Sequence, residues 1–319
     1  DQPRSRGLGD VYKRQGIYRT DNMNESLSFM CDKASFAVAS IKDDTHSFIA
    51  YYDDTMLEAA IKYKTIVDEF DDAIKAGEFK MYLQPQISAK TRRLTGAEAL
   101  VRRIKPDGTI ISPIDFIPVY EKSGLISRLD RYIWEQAAAK LGEWKKAGIN
   151  MSISVNISPK DFYYIDIFNT FAGLIKKYDI EPSNLKIEIT ETTIMSDVPN
   201  LMGELEELRK AGFTLEMDDF GSGYSSLNTL KDINVDVLKV DMGFIKETKN
   251  VKKSRIILAS VIKMAKELNL LIITEGVETE EQVDNLTKLG CDVFQGYYFS
   301  KAIDVNEFEK RYLYRKKAG

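Results

Sequence analysis

Histidine and cysteine are scarce in this sequence of 319 residues. His46 is the single histidine, so the chain cannot supply the paired or triple imidazole ligands of a typical catalytic zinc site, and a serine–histidine–aspartate triad would have to use it. Cys31 and Cys291 lie far apart without metal-ligand spacing, which indicates a reducing cytosol and no disulfide framework. Catalysis would therefore use carboxylates, amides and lysine, and hence metal ions that prefer oxygen ligands.

Long apolar runs and an excess of positive charge are also absent. No apolar run approaches the roughly 20 residues that span a bilayer, so we expect a soluble, cytoplasmic fragment with no membrane contact of its own. The sequence does not begin with methionine, so we expect a fragment or processed product, and the intact protein could be membrane-attached through a missing N-terminal region. The net charge of −4 argues against general nucleic-acid binding. The sequence contains no P-loop, dinucleotide glycine fingerprint or kinase motif set.

The chain divides by pattern into four parts. Residues 1–15 are basic, rich in glycine and arginine, and without periodicity, so we predict a disordered or non-native tail. Residues 16–60 are too few for a deep core of their own. Residues 61–76 carry apolar residues at helical spacing and predict a linker helix. Residues 77–315 form the main domain.

Strand and helix patterns alternate through the main domain. Helix signals between the strands include Ser112-Pro113-Ile114-Asp115 at one start and Gly124 at the corresponding end. This rhythm and length match a (β/α)8 barrel, with a doubly wound open sheet as the alternative. The predicted strands are Phe79–Gln86, Leu94–Val101, Met151–Asn156, Leu185–Thr190, Thr214–Asp218, Val237–Val240, Leu270–Thr274 and Val293–Gly296.

Polar residues recur within or just after these strands, mostly near the carboxyl end. In a barrel the strand ends converge on one face, whereas an open sheet would spread them along its edge. Convergence is the simpler account, so we predict an α/β fold with a TIM-type barrel. The residues are Gln84, Glu98, Asn156, Glu188, Asp218 with Asp219, Lys239 with Asp241, Glu275 and Gln295.

The adjacent Asp218 and Asp219 would, taken alone, most simply form a solvated acidic turn. Among so many other carboxylates facing one cavity they predict a metal site, because such a set could not all stay ionised without cations. Oxygen-rich ligands without histidine suit Mg²⁺ or Mn²⁺, and paired aspartates suit two bridged ions that act on a phosphoester. Arg102 would then clamp a phosphate, although an ion pair with Glu98 is an equal alternative. Lys239 would orient water or neutralise charge.

The sequence also resembles a known family. The segment Gly96-Ala97-Glu98-Ala99-Leu100-Val101-Arg102 is similar to the signature of the EAL family, phosphodiesterases that hydrolyse cyclic-di-GMP to linear pGpG. This resemblance implies a modified (β/α)8 TIM-type barrel with one antiparallel strand, and a homodimer formed through the barrel. It extends from Phe79 to Phe299 through Leu83-Gln84-Pro85, Ser112–Pro118, Val155-Asn156-Ile157-Ser158, Glu188-Ile189-Thr190-Glu191, Asp218–Leu227, Leu238–Asp241, Thr274–Thr279 and Gln295-Gly296-Tyr297.

The resemblance implies a role for each matching residue. The ligands of one Mg²⁺ or Mn²⁺ ion would be Glu98, Asn156, Glu188, Asp218 and Glu275. Asp219 would help to hold a second ion. The catalytic residues would be Lys239, which assists the nucleophilic water, Glu275, which also handles protons, and Glu98. The substrate-binding residues would be Gln84, Leu100, Arg102, Asp241, Glu278 and Gln295. Glu191 would anchor the loop from Phe220 to Tyr224.

Two positions depart from the family pattern, and the upstream segment has a resemblance of its own. An aromatic residue often stands where this chain has Arg103, and Glu216 brings a charge into a strand that is usually apolar there. Cys31-Asp32-Lys33-Ala34 and Tyr51–Met56 resemble the C-terminal end of a GGDEF domain, the diguanylate cyclase module. This likeness covers only about residues 16 to 60, so we assign no cyclase activity to it. His46 lies inside it and reads as a surface or packing residue.

Three functions remain open at this point. The complete acidic set favours an active metal-dependent phosphodiesterase. A non-catalytic receptor of the same fold would bind cyclic-di-GMP and signal to a partner without turnover. An unrelated barrel enzyme would act on another phosphorylated metabolite.

Overall fold

The computed structural model describes residues 14–20, 24–41, 47–196, 198, 200–221, 230, 233–243 and 251–314. Most of the predicted tail, His46 and residues 222–227 of the loop after Asp219 lie outside the described residues. The chain forms two compact units, residues 1–72 and 73–319.

The first unit contains a two-stranded parallel sheet with two long helices in the same unit. The strands are Gln15–Ile17 (β1) and Ile49–Tyr51 (β2), and the helices are Leu27–Ser40 (α1) and Asp54–Asp68 (α2). The buried Lys33 of α1 pairs with Glu25 at 2.8 Å and lies over the Tyr18 ring. The predicted linker helix falls on the end of α2 and on a short helix, Phe70–Lys75 (α3).

The second unit holds ten strands and the remaining helices of the described chain. The strands are Phe79–Ser88 (β3), Leu94–Ile104 (β4), Ile110–Ile111 (β5), Ile153–Ile157 (β6), Leu185–Thr190 (β7), Leu215–Asp218 (β8), Val237–Asp241 (β9), Leu271–Glu275 (β10), Val293–Phe294 (β11) and Ile303–Asp304 (β12). The helices are Pro113–Ser123 (α4), Ile126–Lys146 (α5), Asp161–Tyr164 (α6), Ile167–Tyr178 (α7), Glu191–Ile194 (α8), Leu201–Lys210 (α9), Val251–Glu267 (α10), Glu280–Leu289 (α11) and Val305–Phe308 (α12), with a 3₁₀ turn at Pro182–Asn184 and a π-helical turn at Glu309–Leu313.

Eight of these strands close into a barrel in the order β3-β11-β10-β9-β8-β7-β6-β4, because β3 also pairs with β4. This closure excludes the open sheet, and the eight barrel strands are the eight predicted ones. Strand β3 runs antiparallel to both of its barrel neighbours, whereas the other neighbours are parallel. The short connection between β3 and β4 requires this reversal, since a parallel pair needs a crossover of a dozen or more residues.

Strand β11 is shorter than predicted and ends before Gln295. A Cβ atom on Gly296 would lie 2.2 Å from the carbonyl oxygen of Val277, so only glycine permits this close approach. The Val277 amide donates to the Gln295 carbonyl at 3.2 Å. The chain therefore leaves the ladder here and holds Gln295 against the segment that follows β10.

Helix α5 illustrates how the outer layer fixes the barrel. Its buried face repeats at helical spacing and includes Leu129, Ile133, Ala137 and Leu141. On the same helix Trp134 packs against Phe171 and donates its indole N–H to the Asn156 carbonyl at 2.9 Å. The helix thus positions the carboxyl end of β6.

Local signals also set the starts and ends of helices where expected. Gly124 takes a left-handed conformation with φ of 78° after α4, and Thr279 forms a capping box with Gln282 at the start of α11. None of the described helices is long and apolar enough to cross a membrane.

Candidate metal centre and adjoining cleft

The acidic strand ends meet inside the barrel around one lysine. Lys239 of β9 is fully buried, and its ammonium contacts Glu98, Glu188, Asp218 and Glu275. The Nζ atom lies 2.7 Å from a Glu275 oxygen and 3.4 Å from oxygens of Glu98 and Asp218. When all four carboxylates are ionised, this ammonium leaves three of their negative charges uncompensated among the described residues.

Each of these groups comes from a different strand. Glu98 lies in β4, Glu188 in β7, and Asp218 and Glu275 are the last residues of β8 and β10. Oxygens of Glu98, Glu188 and Glu275 all lie within 4.8 Å of one another. Asn156 of β6 joins them, because its amide donates to Glu98 Oε1 at 3.5 Å. The structure therefore brings together all five residues predicted to hold the first ion.

Asp219 differs from Asp218 in both backbone and exposure. It follows β8 in a left-handed conformation with φ of 55°, and it is exposed, whereas Asp218 is largely buried. The two neighbouring carboxylates still interact, because the Asp219 charge contributes to the raised pKa of Asp218. Asp219 is thus adjacent to the buried centre without being part of it.

The close approach of several carboxylates changes the pKa values of the residues in the centre. Burial, together with Glu275, Glu98 and Asp219, raises the pKa of Asp218 to about 9. Burial and Glu98 raise the pKa of Glu275 to about 7, against the opposing effect of Lys239. Burial lowers the pKa of Lys239, but the carboxylates of Glu275 and Glu98 more than offset this and raise it. The centre holds its carboxylates ionised only at a cost that further cations would relieve.

A buried oxygen of the centre tests whether a metal ion fits. Glu188 Oε2 is buried and accepts no hydrogen bond from any described residue. Unsatisfied buried carboxylate oxygens are costly, and divalent cations with hard oxygen preferences are their natural partners. The donor set of carboxylates and one amide therefore fits Mg²⁺ or Mn²⁺.

A cleft of about 400 Å³ opens directly above this centre. The residues predicted to bind substrate lie along it: Gln84, Leu100, Asp241, Glu278 and Gln295. Gln295 is buried and donates to Glu98 and, at 3.2 Å, to Gln84. Gln86 donates to Gln295 in turn at 3.2 Å, so the amides form a chain that fixes the floor of the cleft.

Arg102 stands apart from the carboxylates, contrary to the ion-pair alternative with Glu98. Its guanidinium lies over the Tyr82 ring at 5.8 Å and donates to the Val101 carbonyl at 2.7 Å. Both residues line a second cavity of about 290 Å³, with Tyr297 and Lys301 on its other side. Tyr82 lies two residues before Gln84 in β3, so strand alternation could have predicted that it faces the same side. No sequence pattern pointed to Lys301.

A third cavity, of about 670 Å³, lies between the strand ends and helices α4 and α5. Leu100 lines both this cavity and the cleft, and Arg102 lines both this cavity and the one of about 290 Å³. Asp130 of α5 also lines it and contacts the buried Asp161. Burial and the Asp161 charge hold the pKa of Asp130 well above its usual range, and burial raises the pKa of Asp161 to about 6. Sequence pattern did not single out either residue.

Two other predicted positions have clear surroundings. Glu191 accepts from the backbone N–H of Gly221 at 3.4 Å, which places it at the start of the loop it was predicted to anchor. Arg103 is buried and pairs with Glu78 at 2.9 Å, on the opposite strand face from Arg102. The departure at Arg103 therefore concerns packing and not the cleft.

The fold and the site together define a (β/α)8-barrel protein with one reversed strand and an acidic centre at the carboxyl ends of its strands. A family model described as the EAL domain matches residues 67–302, and the chain belongs to this family.

Two curated proteins with similar sequences agree with this assignment. The signalling protein YkoW of Bacillus subtilis is 34% identical over 278 residues, which cover 87% of this chain and 35% of YkoW. The bifunctional diguanylate cyclase/cyclic di-GMP phosphodiesterase MucR of Pseudomonas aeruginosa is 30% identical over 86% of this chain and 40% of MucR. The chain thus spans well under half the length of either protein.

A solved structure of the PaMucR phosphodiesterase in complex with c-di-GMP gives the same fold. It superposes with a TM-score of 0.71 at 32% identity and covers 76% of this chain and 99% of that one. The similarity is thus concentrated in a segment the size of one EAL domain.

Proposed function

We propose that this chain hydrolyses cyclic-di-GMP to linear pGpG with the help of two Mg²⁺ or Mn²⁺ ions. The observation that carries the proposal is the convergence of four carboxylates on the buried Lys239. The family supports the choice of substrate, since MucR is named a cyclic di-GMP phosphodiesterase.

The ligands of the first ion would be Glu98, Asn156, Glu188, Asp218 and Glu275, and Asp219 would help to hold the second. When bound, the ions supply Lewis-acid chemistry that neutralises charge developing on the phosphodiester oxygens. Lys239 remains protonated among its carboxylates and donates a hydrogen bond that orients the attacking water. Glu275, at 2.7 Å from Lys239, accepts the proton that this water loses.

The bond changes follow from this arrangement. The water oxygen forms a bond to phosphorus while the bond from phosphorus to the ribose O3′ breaks. The proton released by the water ends on O3′. One ring-closing phosphodiester is thereby opened, and the product carries a 5′-phosphate.

The cavities beside the centre suit a ligand that places one base in each of two cavities. The three cavities all have Leu100 in their walls. In the cavity of about 670 Å³ the guanidinium of Arg102 matches the O6 and N7 acceptors of guanine, and the carboxyl groups of Asp130 and Glu121 match its N–H donors. Tyr82 and Tyr297 in the smallest offer ring faces for the second base.

A turnover assay tests the proposal. The chain is incubated with cyclic-di-GMP and Mg²⁺ or Mn²⁺, with and without a chelator, and the nucleotides are separated by chromatography. We expect pGpG with either ion and none with the chelator. Metal-independent binding by calorimetry with no pGpG under any condition would instead support the non-catalytic receptor.

Two further expectations from the sequence stay proposals. We propose that residues 16 to 60 are the end of a GGDEF domain and that the barrel forms a homodimer. Activity and sedimentation of the chain, compared with a variant that begins at residue 67, would test both. A monomeric sedimentation coefficient at micromolar concentration would contradict the dimer.

A further inference from the structure

A second polar layer lies in the barrel behind the acidic centre. It consists of Ser154, Lys186 and Glu216, called the inner trio below. Their strands β6, β7 and β8 are hydrogen-bonded neighbours. Because strand side chains alternate, each member of the trio faces the same side as the residue two positions later. Those later residues, in the same order, are Asn156, Glu188 and Asp218.

Glu216, which departs from the family pattern, is the hub of the inner trio. Its side chain is fully buried, and both oxygens are satisfied. Lys186 Nζ donates to Oε1 at 2.9 Å, and Ser154 Oγ donates to Oε2 at 2.8 Å. Apolar residues of similar volume often replace a buried ion pair at no loss of stability, so stability alone is a weak reason for this pair.

The neighbourhood of Lys186 supplies a stronger reason. Lys186 and Glu188 share a strand face, with Cα atoms roughly 6.6 Å apart at the usual rise per residue. The lysine side chain carries its ammonium on a flexible four-carbon stem. Glu188 Oε2 accepts no hydrogen bond from the described residues and is buried. An ammonium that moved to this oxygen would occupy a metal-ligand position and add positive charge to the centre.

We propose that Glu216 is a positioning residue of the metal centre, which retains the Lys186 ammonium behind the centre and away from Glu188. This inference rests on the metal-dependent function proposed above. Lys239 is the ammonium that faces the carboxylates, and Glu216 keeps a second one from joining it. The role requires Lys186, so it must vanish when Lys186 is removed.

Mn²⁺ binding to the full chain, measured by calorimetry without nucleotide, tests the proposal. We expect Glu216→Gln to weaken binding about tenfold to a hundredfold, as for other groups that orient metal ligands. Lys186→Met and the double variant Lys186→Met/Glu216→Gln should bind Mn²⁺ equally, within about twofold, because nothing is left for Glu216 to restrain. Urea unfolding followed by tryptophan fluorescence confirms that each variant folds.

Two results would overturn the proposal. One is wild-type affinity in Glu216→Gln, and the other is a double variant that binds as weakly as Glu216→Gln. If Glu216→Gln does not fold, Glu216→Asp takes its place, with a smaller loss that Lys186→Met again cancels.

Turnover separates this inference from the proposed function. A wild-type chain that binds Mn²⁺ and shows the expected pattern but makes no pGpG contradicts hydrolysis alone. Normal turnover with no effect of Glu216→Gln on Mn²⁺ affinity contradicts the positioning role alone. A wild-type chain that binds no Mn²⁺ contradicts both.

Discussion

Two groups of carboxylates, the acidic centre around Lys239 and the pair of Asp130 and Asp161, compensate their charge differently. At the acidic centre Glu188 is fully buried, faces three other carboxylates and meets one ammonium. Asp161 at the start of α6 is equally buried, but it contacts Asp130 and accepts the Ser158 N–H at 2.7 Å. The raised pKa values of Asp130 and Asp161 mean that this pair holds a proton, and the pKa of Asp218 in the centre is raised as well.

The comparison shows that buried carboxylates alone do not mark a metal site. Two carboxylates can share one proton and need nothing more. Four carboxylates around one lysine still outnumber its single positive charge after one of them takes up a proton. Substitutions in the two groups and in the cleft test this difference.

Glu188→Gln and Asp161→Asn form a matched pair, since both neutralise a fully buried carboxylate. We expect Glu188→Gln to lower kcat by about a thousandfold or more, because it removes a proposed metal ligand. Asp161→Asn should keep turnover near wild type. Equal losses of cyclic-di-GMP hydrolysis in the two variants would remove the distinction between the groups.

Asp219→Ala probes the exposed neighbour of the centre. We expect a fall in kcat of about a hundredfold or more, because the second ion would lose a ligand while the first keeps its own. Calorimetric titration should show one Mn²⁺ site retained. Wild-type kcat in Asp219→Ala would contradict a role for the second ion.

Arg102→Ala probes the cavity side of the cleft. The guanidinium faces no carboxylate of the centre, so we expect an increase in KM of about tenfold, with a smaller change in kcat. Steady-state kinetics across cyclic-di-GMP concentrations give both values. A loss confined to kcat would instead place Arg102 at the reacting phosphate. Arg103→Ala is the control, because Arg103 faces Glu78 and should leave KM unchanged.

The pH dependence of stability should reveal the proton held by Asp161. Its pKa is raised to about 6 in the folded state, so this group stabilises the fold below about pH 4 and loses that contribution as the pH rises to about 6. Between pH 4 and pH 7, the free energy of unfolding of Asp161→Asn should therefore increase relative to that of wild type by up to about 3 kcal/mol.

Tryptophan fluorescence during urea unfolding measures this change, since Trp134 and Trp144 both lie in α5. A difference between Asp161→Asn and wild type that is constant with pH would show that Asp161 titrates normally.

Local patterns in the sequence were enough to predict the barrel strands, helix ends and the residues of the acidic centre. Alternating strand and helix signals located all eight barrel strands. Helix α4 ends where predicted, because Gly124 can take the left-handed conformation that terminates a helix. The polar residues at the strand ends predicted the acidic centre, because closure of the barrel brings the carboxyl ends of its strands together. Adjacent Asp218 and Asp219 were visible as a pair in the chain.

Only the tertiary structure decided which distant side chains meet. Asp130 and Asp161 come from different helices, and Arg102 turns from the expected carboxylate toward Tyr82. Lys186 and Glu216 pair because β7 and β8 are neighbours in a set register. Such contacts depend on strand order, register and closure, which link residues far apart in sequence and leave no periodic signal along it.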